Sequence, residues 1–263
     1  MIPRANITAW RAVAPWATDA QVEQDLVISR ALVEIFSNTA LAESLAFRGG
    51  TALHKLFLSP ASRHSEDIDL VQVRAEPIGP TFDGLREVLS PWLGQPDRKR
   101  GPGTATLVYR FETTALPAQR LRLKIEINTR EHFALLGYRK VPFSIENPWF
   151  AGAASLLTFD VHELLATKLR ALYQRRKGRD LYDLDRALRS LEIDDARVVT
   201  CFQEYLHREG MSISGSAFEE NLETKMTRSR FGSDVRPLIV EDADYEPLEA
   251  IERIRTRLIS RLP

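Results

Sequence analysis

The sequence predicts an α+β fold, with a mixed sheet flanked by helices in the first half and a mostly helical second half. In residues 1–150, short apolar runs bounded by glycine and proline are typical of strands. In residues 151–263, apolar side chains recur with helical spacing. We therefore expect two domains, 1–150 and 151–263, with a ligand cleft between them.

The elements of the first half follow from periodicity and turn residues. A helix is expected over 19–37, because Val22, Leu26 and Leu32 share one stripe. The apolar run 45–48 ends at two glycines, which indicates a strand followed by a tight turn. The other predicted elements are a helix over 51–58 and strands over 67–71, 106–111 and 121–128.

The second half is expected to be a series of helices after a connector that begins at residue 147. Asp160 followed by Glu163 forms a capping pattern for the first helix. Gly178 separates the first helix from the second. The predicted helices span 161–176, 180–191, 197–207 and 246–262.

Composition excludes several classes of protein. The 263 residues contain 36 Lys and Arg and 36 Asp and Glu, so the formal net charge is zero. A protein that coats nucleic acid is usually basic, so any nucleic-acid contact must come from a local patch. The single cysteine, Cys201, excludes an intramolecular disulfide and a cysteine-based zinc or iron–sulfur site. No signal peptide or membrane-spanning run is recognisable, and a cytoplasmic location is expected.

Two aspartates on a predicted strand form the strongest candidate for a metal site. Asp67 and Asp69 alternate with apolar residues, so their carboxylates share one face of the strand. Their repulsion is costly unless a cation lies between them. Hard oxygen ligands suit Mg²⁺, with Mn²⁺ as an alternative ion. Glu126 is expected as the third carboxylate if strand 121–128 lies beside strand 67–71.

A glycine turn precedes these aspartates. Gly49 and Gly50 let backbone amides approach a phosphate, and Thr51 adds a hydroxyl near the start of the next helix. Taken alone, an Asp-x-Asp pattern is usually a solvated strand, and a Gly-Gly pair is usually a turn. Both motifs in this order, each with an apolar strand, favour a triphosphate site beside a metal.

The segments 47–55 (FRGGTALHK) and 65–70 (SEDIDL) resemble the AbiEii/AbiGii-type nucleotidyltransferase toxins, including a MenT-like group. These toxins belong to the DNA polymerase β-like nucleotidyltransferase superfamily. Lys168 and segment 175–183 resemble the family's downstream lysine and Arg-Asp-x-x-Asp signature. The resemblance extends from residue 20 to residue 190, and it implies a polymerase β-like domain followed by a helical domain that contributes to the active-site cleft. One departure is Thr51, where the superfamily often has serine.

The resemblance also implies a function. Such toxins belong to toxin–antitoxin or phage-defence systems, and members of a related mycobacterial group are understood to add nucleotides to the 3′ end of tRNA. This chain would then transfer an NMP from an NTP to RNA, with tRNA as the first candidate. Gly50 and Thr51 would hold the triphosphate, and the three carboxylates would bind Mg²⁺. Ser65 would contact phosphate or be a target of antitoxin-linked phosphorylation. A cognate antitoxin is the expected protein partner.

Three residues of the second half are candidates for the same reaction. Lys168 falls near the buried stripe of helix 161–176, where a bare lysine is costly. It either extends its ammonium to solvent or reaches the triphosphate as a point charge, and we favour the second. Asp180 and Asp183 share a helix face. They either stabilise the helix N-terminus, orient Lys168 or Arg179, or act as a base for the incoming hydroxyl.

A basic run near Lys168 is the first candidate for the RNA contact. Basic runs are most often solvated surface, but this one lies beside the expected triphosphate lysine in a chain of zero net charge. Phosphate contacts of this kind give affinity without sequence choice. The residues are Arg175, Arg176, Lys177 and Arg179, with Arg98-Lys99-Arg100 as a second basic run.

Other functions use some of the same residues. Nucleotide transfer to a protein or small molecule would need the same carboxylates and glycine turn. A metal-dependent nuclease would need the carboxylates but neither the glycine turn nor Lys168. An inactive binding module is disfavoured, because it has no reason to keep paired like charges. The sequence does not select the NTP, and a monomer is only the default oligomeric state.

Overall fold

The structure, a computed structural model, describes residues 2–114, 117–227, 231, 233–240 and 244–263. The chain divides into two compact units, Met1–Phe159 and Asp160–Pro263. In the first unit the described strands form one mixed sheet, and in the second the described elements are helices. The predicted α+β fold class is therefore confirmed. Within these ranges no helix is long and apolar enough to cross a membrane.

The first unit begins with three helices and ends in a series of strands. Its helices are α1 (Arg4–Trp10), α2 (Asp19–Ser37), α3 (Thr39–Ser44), α4 (Gly49–Leu56) and α5 (Ile78–Leu93). Its strands are β1 (Leu45–Arg48), β2 (Asp67–Gln72), β3 (Asp97–Gly101), β4 (Thr104–Glu112), β5 (Arg120–Asn128), β6 (Tyr138–Asn147) and β7 (Phe150–Phe159).

The seven strands among the described residues form one sheet in the order β3-β4-β5-β2-β1-β7-β6. β2 pairs in parallel with β5, and β1 pairs in parallel with β7, while the other pairs are antiparallel. Parallel neighbours need a long crossover connection, so these two pairs bring together segments that are distant in sequence. The β2–β5 pair decides the geometry of the candidate site.

Helices α2 and α5 cover one face of this sheet. Val33 of α2 lies against Gly152 of β7, and the Tyr109 hydroxyl of β4 reaches the Leu85 carbonyl oxygen of α5 at 3.5 Å. The apolar side chains that β2, β4 and β5 direct to this face are buried. Because successive side chains of a strand alternate, the polar residues of β2 and β5 project from the opposite face.

A buried ion pair holds α4 against α2. The Lys55 ammonium donates to both carboxylate oxygens of Asp25 at 3.1 and 3.0 Å and to Ser29 Oγ at 2.8 Å. Trp10 Nε1 donates to the same carboxylate at 2.9 Å. Burial alone would raise the pKa of Asp25, but Lys55 and these hydrogen bonds outweigh it and lower the pKa. The pair therefore anchors the helix that begins at the glycine turn.

His64 is buried close to this ion pair and makes the first unit sensitive to acid. The ring is 1% exposed, packs edge-on against Trp16 at 5.9 Å, and neither ring nitrogen has a hydrogen-bond partner within the described part of the chain. Burial lowers the pKa of His64 to about 4, while the nearby charge of Asp25 opposes the shift. The folded state therefore keeps a neutral imidazole over a range in which the unfolded chain binds a proton.

We expect this difference to destabilise the protein as the pH falls from 6.5 to about 4. In that window the unfolded chain binds more protons, so stability is lost with decreasing pH, by about 3 kcal/mol for this group. The measurement is urea unfolding at several pH values for the wild type and His64→Leu. The variant should lose less stability across the window. Parallel pH curves for the two proteins would contradict the assignment.

The second unit is built from helices around one apolar core. They are α6 (Val161–Gln174), α7 (Gly178–Ser190), α8 (Asp195–Arg208), α9 (Gly215–Met226) and α10 (Pro247–Arg257), with 3₁₀ turns at Arg236–Leu238 and Ile259–Arg261. Asp160 caps α6 by accepting from the His162 amide at 3.0 Å, as its position predicts. Lys225 of α9 donates to the Leu172 and Tyr173 carbonyl oxygens at the other end of α6.

The sequence prediction differs from the structure around residue 150. The division lies after Phe159, because 150–159 is a strand of the first unit's sheet. Where a connector was expected, Asn147 pairs with Phe150 and closes the β6–β7 hairpin. The sequence prediction also omitted α1, α3, α5, β3, β6, β7 and α9. α5 was obscured by its glycine and proline residues, although its apolar stripe is buried.

Candidate active site

Three carboxylates lie on adjacent strands on the face of the sheet opposite α2 and α5. Asp69 of β2 is directly opposite Glu126 of β5, and Asp67 is opposite Lys124. Residues in register on neighbouring strands lie about 4.8 Å apart along the hydrogen-bonding direction. The two strands are therefore neighbours, as the third-carboxylate hypothesis required. All three carboxylate residues are only partly exposed.

The glycine turn between β1 and α4 lies directly against Asp69. Gly49 has φ +79°, in the left-handed region that side chains with a Cβ avoid. A Cβ at this position would lie 2.2 Å from Asp69 Oδ2. Glycine is therefore needed for two independent reasons, the backbone conformation and the space for the carboxylate. The phosphate-binding turn expected from the sequence and the aspartate pair are thus one local structure.

Two hydroxyl groups tie this turn to the start of β2. The Thr51 hydroxyl is buried and donates to the Asp67 carbonyl oxygen at 2.5 Å. The Ser65 hydroxyl lies 2.6 Å from Thr51 Oγ1. A hydroxyl has one proton to donate, so Ser65 is the donor in this second contact. In this arrangement Thr51 and Ser65 position the turn, and their direct phosphate contacts remain predictions.

The oxygen donors suit a hard divalent cation, but Glu126 is engaged elsewhere. Its Oε2 lies 2.5 Å from the ammonium of Lys124. Within the described residues, no three Asp, Glu, His or Cys side chains converge as a metal site. Two aspartates on one face and a glutamate in register with one of them are the donor types that Mg²⁺ prefers. The residues fit the ion if Glu126 exchanges its lysine partner for it.

Two cations that the sequence patterns did not single out lie beside these carboxylates. Arg48 of β1 is opposite Asp69, and its Nη1 lies 2.5 Å from Glu131 Oε2. Lys124 is opposite Asp67 on the other neighbouring strand. The alternation of 121–128 already placed Lys124 on the face of Glu126. Only the strand order shows that these cations flank the β2 aspartates.

In the second unit, Lys168 is the centre of a buried charge cluster. Its ammonium lies 3.2 Å from Asp180 Oδ1 and 2.7 Å from Asp183 Oδ2, and both carboxylates are fully buried. Arg175 adds a bidentate contact to Asp180 at 2.6 and 2.7 Å. Burial would raise the pKa of Asp180, but the attraction of Lys168 and Arg175 outweighs it and lowers the pKa.

This cluster is compatible with the orienting role considered for the two aspartates, because both hold the lysine ammonium. The phosphate contact of Lys168 and the base role of the aspartates remain predictions. In the basic run, Arg175 is bound to Asp180, Arg176 and Lys177 are exposed, and Arg179 is partly exposed at the start of α7. The exposed members lie in the short connector between α6 and α7.

Replacing Lys168 with methionine should destabilise the protein by about 3–5 kcal/mol, because two buried carboxylates lose their shared cation. Urea unfolding measures this change. Arg208→Met is the matched control, since Arg208 pairs with Glu204 on the surface of α8 and such pairs contribute below about 1 kcal/mol. Equal unfolding free energies for the two variants would show that the Lys168 cluster is not a structural element.

Comparisons with known proteins agree with the resemblance found in the sequence. A family model described as nucleotidyl transferase AbiEii toxin, type IV toxin–antitoxin system, matches residues 30–257. The structure is similar to MenT4, a nucleotidyltransferase toxin of Mycobacterium tuberculosis, with a TM-score of 0.66 and 20% identity. That similarity covers 100% of this chain and 91% of MenT4.

A second solved structure has the same fold. JHP933 of Helicobacter pylori has a TM-score of 0.56 and 14% identity, covering 91% of this chain and 90% of the other. No curated protein sequence matches the chain. At these identities the solved structures support only the fold. The match to the family model is the basis for assigning the chain to a family.

Proposed function

The chain belongs to the AbiEii family of nucleotidyltransferase toxins of type IV toxin–antitoxin systems, and from this we propose that it transfers an NMP to an RNA 3′ end. tRNA is the first candidate acceptor, and the reaction would take place in the cytoplasm with Mg²⁺ as the metal. One observation carries the proposal: Asp67 and Asp69 lie on β2 beside the glycine turn, and Asp69 is in register with Glu126 of the adjacent strand β5.

The glycine turn supports the binding of a triphosphate. The amides of Gly49 and Gly50 lie at the start of α4, where unpaired amide groups and the helix dipole favour an anion. Lys55 and Asp25 anchor this helix, and Thr51 ties its first turn to β2. Because these contacts fix the turn and its helix, the turn can hold phosphates beside the carboxylates without changing its conformation.

The chemistry follows from this placement. The 3′ hydroxyl oxygen attacks the α-phosphorus in line and forms a new P–O bond, while the bond to the β-phosphate breaks and pyrophosphate leaves. Asp67, Asp69 and Glu126 would supply the oxygen ligands of the metal. When bound there, a divalent cation lowers the pKa of the attacking hydroxyl and neutralises charge on the leaving pyrophosphate. The hydroxyl proton passes to water.

An RNA acceptor is favoured by the distribution of cations. The chain has no net charge, yet exposed arginine and lysine side chains are concentrated at the α6–α7 connector and on β3. Local basic patches bind phosphate backbones without reading sequence. For Arg176 and Lys177 we propose contacts to the acceptor, and for Lys168 a contact to triphosphate. The family implies a cognate antitoxin, which would restrain this activity.

The proposal is tested by incubating purified protein with total tRNA, Mg²⁺ and each α-labelled NTP in turn. Label should appear on the tRNA band with at least one NTP, and γ-labelled NTP should leave RNA unlabelled because pyrophosphate departs. Label on a protein or a small solute would show that the acceptor is that molecule and not RNA. RNA shortening that does not require NTP would instead indicate a nuclease.

A further inference from the structure

Lys124 lies within the candidate metal site. It shares the face of Asp67, Asp69 and Glu126, directly opposite the first and two residues before the last. These four residues form a compact block on two adjacent strands, with three negative charges and one positive charge. A cation in such a block reduces the repulsion between the carboxylates.

The ammonium of Lys124 is bound to Glu126, the residue expected to be the third metal ligand. Its Nζ lies 2.5 Å from Glu126 Oε2, and the two side chains are 30% and 38% exposed. Burial alone would lower the pKa of Lys124, but the bond to Glu126 and the charges of Asp67 and Asp69 outweigh it and raise the pKa. All three carboxylates therefore act on this one ammonium group.

A divalent cation would compete with the Lys124 ammonium for the carboxylate oxygens of Glu126. Bringing the ion in places two more positive charges beside a lysine that is already held as a cation. The repulsion between them opposes metal binding, and a polyphosphate that brings negative charge relieves it. A site arranged in this way would bind metal weakly alone and more strongly together with nucleotide.

We propose that Lys124 is a built-in counter-ion of the metal site, which holds Glu126 until a metal–nucleotide complex arrives and thereby makes metal binding depend on nucleotide. This inference rests on the proposed metal-dependent function. Lys124 acts here by position and charge, through the carboxylates that it contacts. It is a positioning residue that governs when the three carboxylates become available together.

The test is a Mn²⁺ titration followed by electron paramagnetic resonance, with and without a non-hydrolysable NTP analogue. Lys124→Met should bind Mn²⁺ without nucleotide at least about 10-fold more tightly than the wild type. The enhancement by nucleotide should be smaller in this variant. Lys124→Arg should keep the wild-type behaviour, because it retains the positive charge.

Lys140→Met is the matched control for the loss of one positive charge. Lys140 is exposed on β6, at the far edge of the sheet from β3, and its replacement should leave Mn²⁺ affinity unchanged. Equal Mn²⁺ affinity in the wild type and Lys124→Met, with both proteins folded, would overturn the inference while leaving the metal site standing. Absence of Mn²⁺ binding in every variant, with nucleotide present, would overturn the metal site and the inference together.

Discussion

Asp69→Asn should reduce nucleotide transfer by at least about 10²–10³-fold, because one of the three proposed ligand charges is removed. Asparagine has nearly the same shape as aspartate, so contacts with the neighbouring strands and the glycine turn are largely preserved. The transfer rate with α-labelled NTP measures the effect. The variant also loses repulsion from Glu126, which lies directly opposite on β5.

Stability distinguishes this loss from simple unfolding. Asp69 lies directly opposite Glu126, and like charges in register destabilise a sheet, so Asp69→Asn should unfold at the same urea concentration as the wild type or a higher one. Asp83→Asn on α5 is the control, since its carboxylate is 72% exposed and lies on a helix that covers the other face. Full transfer by Asp69→Asn would show that the chemistry takes place elsewhere in the protein.

Gly49→Ala should also inactivate the protein, through a different cause. A Cβ at this position lies 2.2 Å from Asp69 Oδ2, so the carboxylate or the turn must move. The left-handed backbone adds strain of about 1–2 kcal/mol for a residue with a Cβ. Displacing a reacting group by an ångström costs on the order of 10²-fold in rate.

Gly94→Ala separates the two effects of that substitution. Gly94 follows α5 with φ +78°, almost the value at Gly49, but a Cβ there has no neighbour within 4 Å. Both variants should lose stability to backbone strain, and only Gly49→Ala should lose transfer activity. The measurements are urea unfolding and transfer rate for each. Matching rates in the two variants would show that the clash with Asp69 does not matter.

Much of the local structure followed from the sequence, since helices and strands depend on short-range periodicity. The helix over 19–37 has its predicted bounds, and the strand 45–48 ends at the predicted glycine turn. The family resemblance rested on these same local motifs. The family match confirms it, together with the nucleotidyltransferase assignment. Gly49-Gly50 and Asp67-x-Asp69 could be assigned to one site without a structure, because both motifs lie within one short segment of the chain.

The hairpin over 138–159 was missed for a local reason. In β6, Val141, Phe143 and Ile145 do alternate with other residues, but Pro142 weakens the strand signal. β7 includes glycine and three alanines, which are poor strand formers. β6 and β7 are held instead by backbone pairing along their whole length, from Tyr138–Phe159 to Asn147–Phe150. Backbone hydrogen bonds of this kind do not depend on side-chain type, and sequence patterns therefore do not report them.

The sequence by itself determined the fold class, the family, the glycine turn and the pair of aspartates, because each depends on patterns among residues that are close together in the chain. Only the tertiary structure decided that β2 lies beside β5, which sets Glu126 opposite Asp69 and Lys124 opposite Asp67. Strand order and register arise from the packing of the whole sheet under α2 and α5, not from any one segment. Local periodicity selects the face on which a side chain lies, and long-range pairing selects its partner.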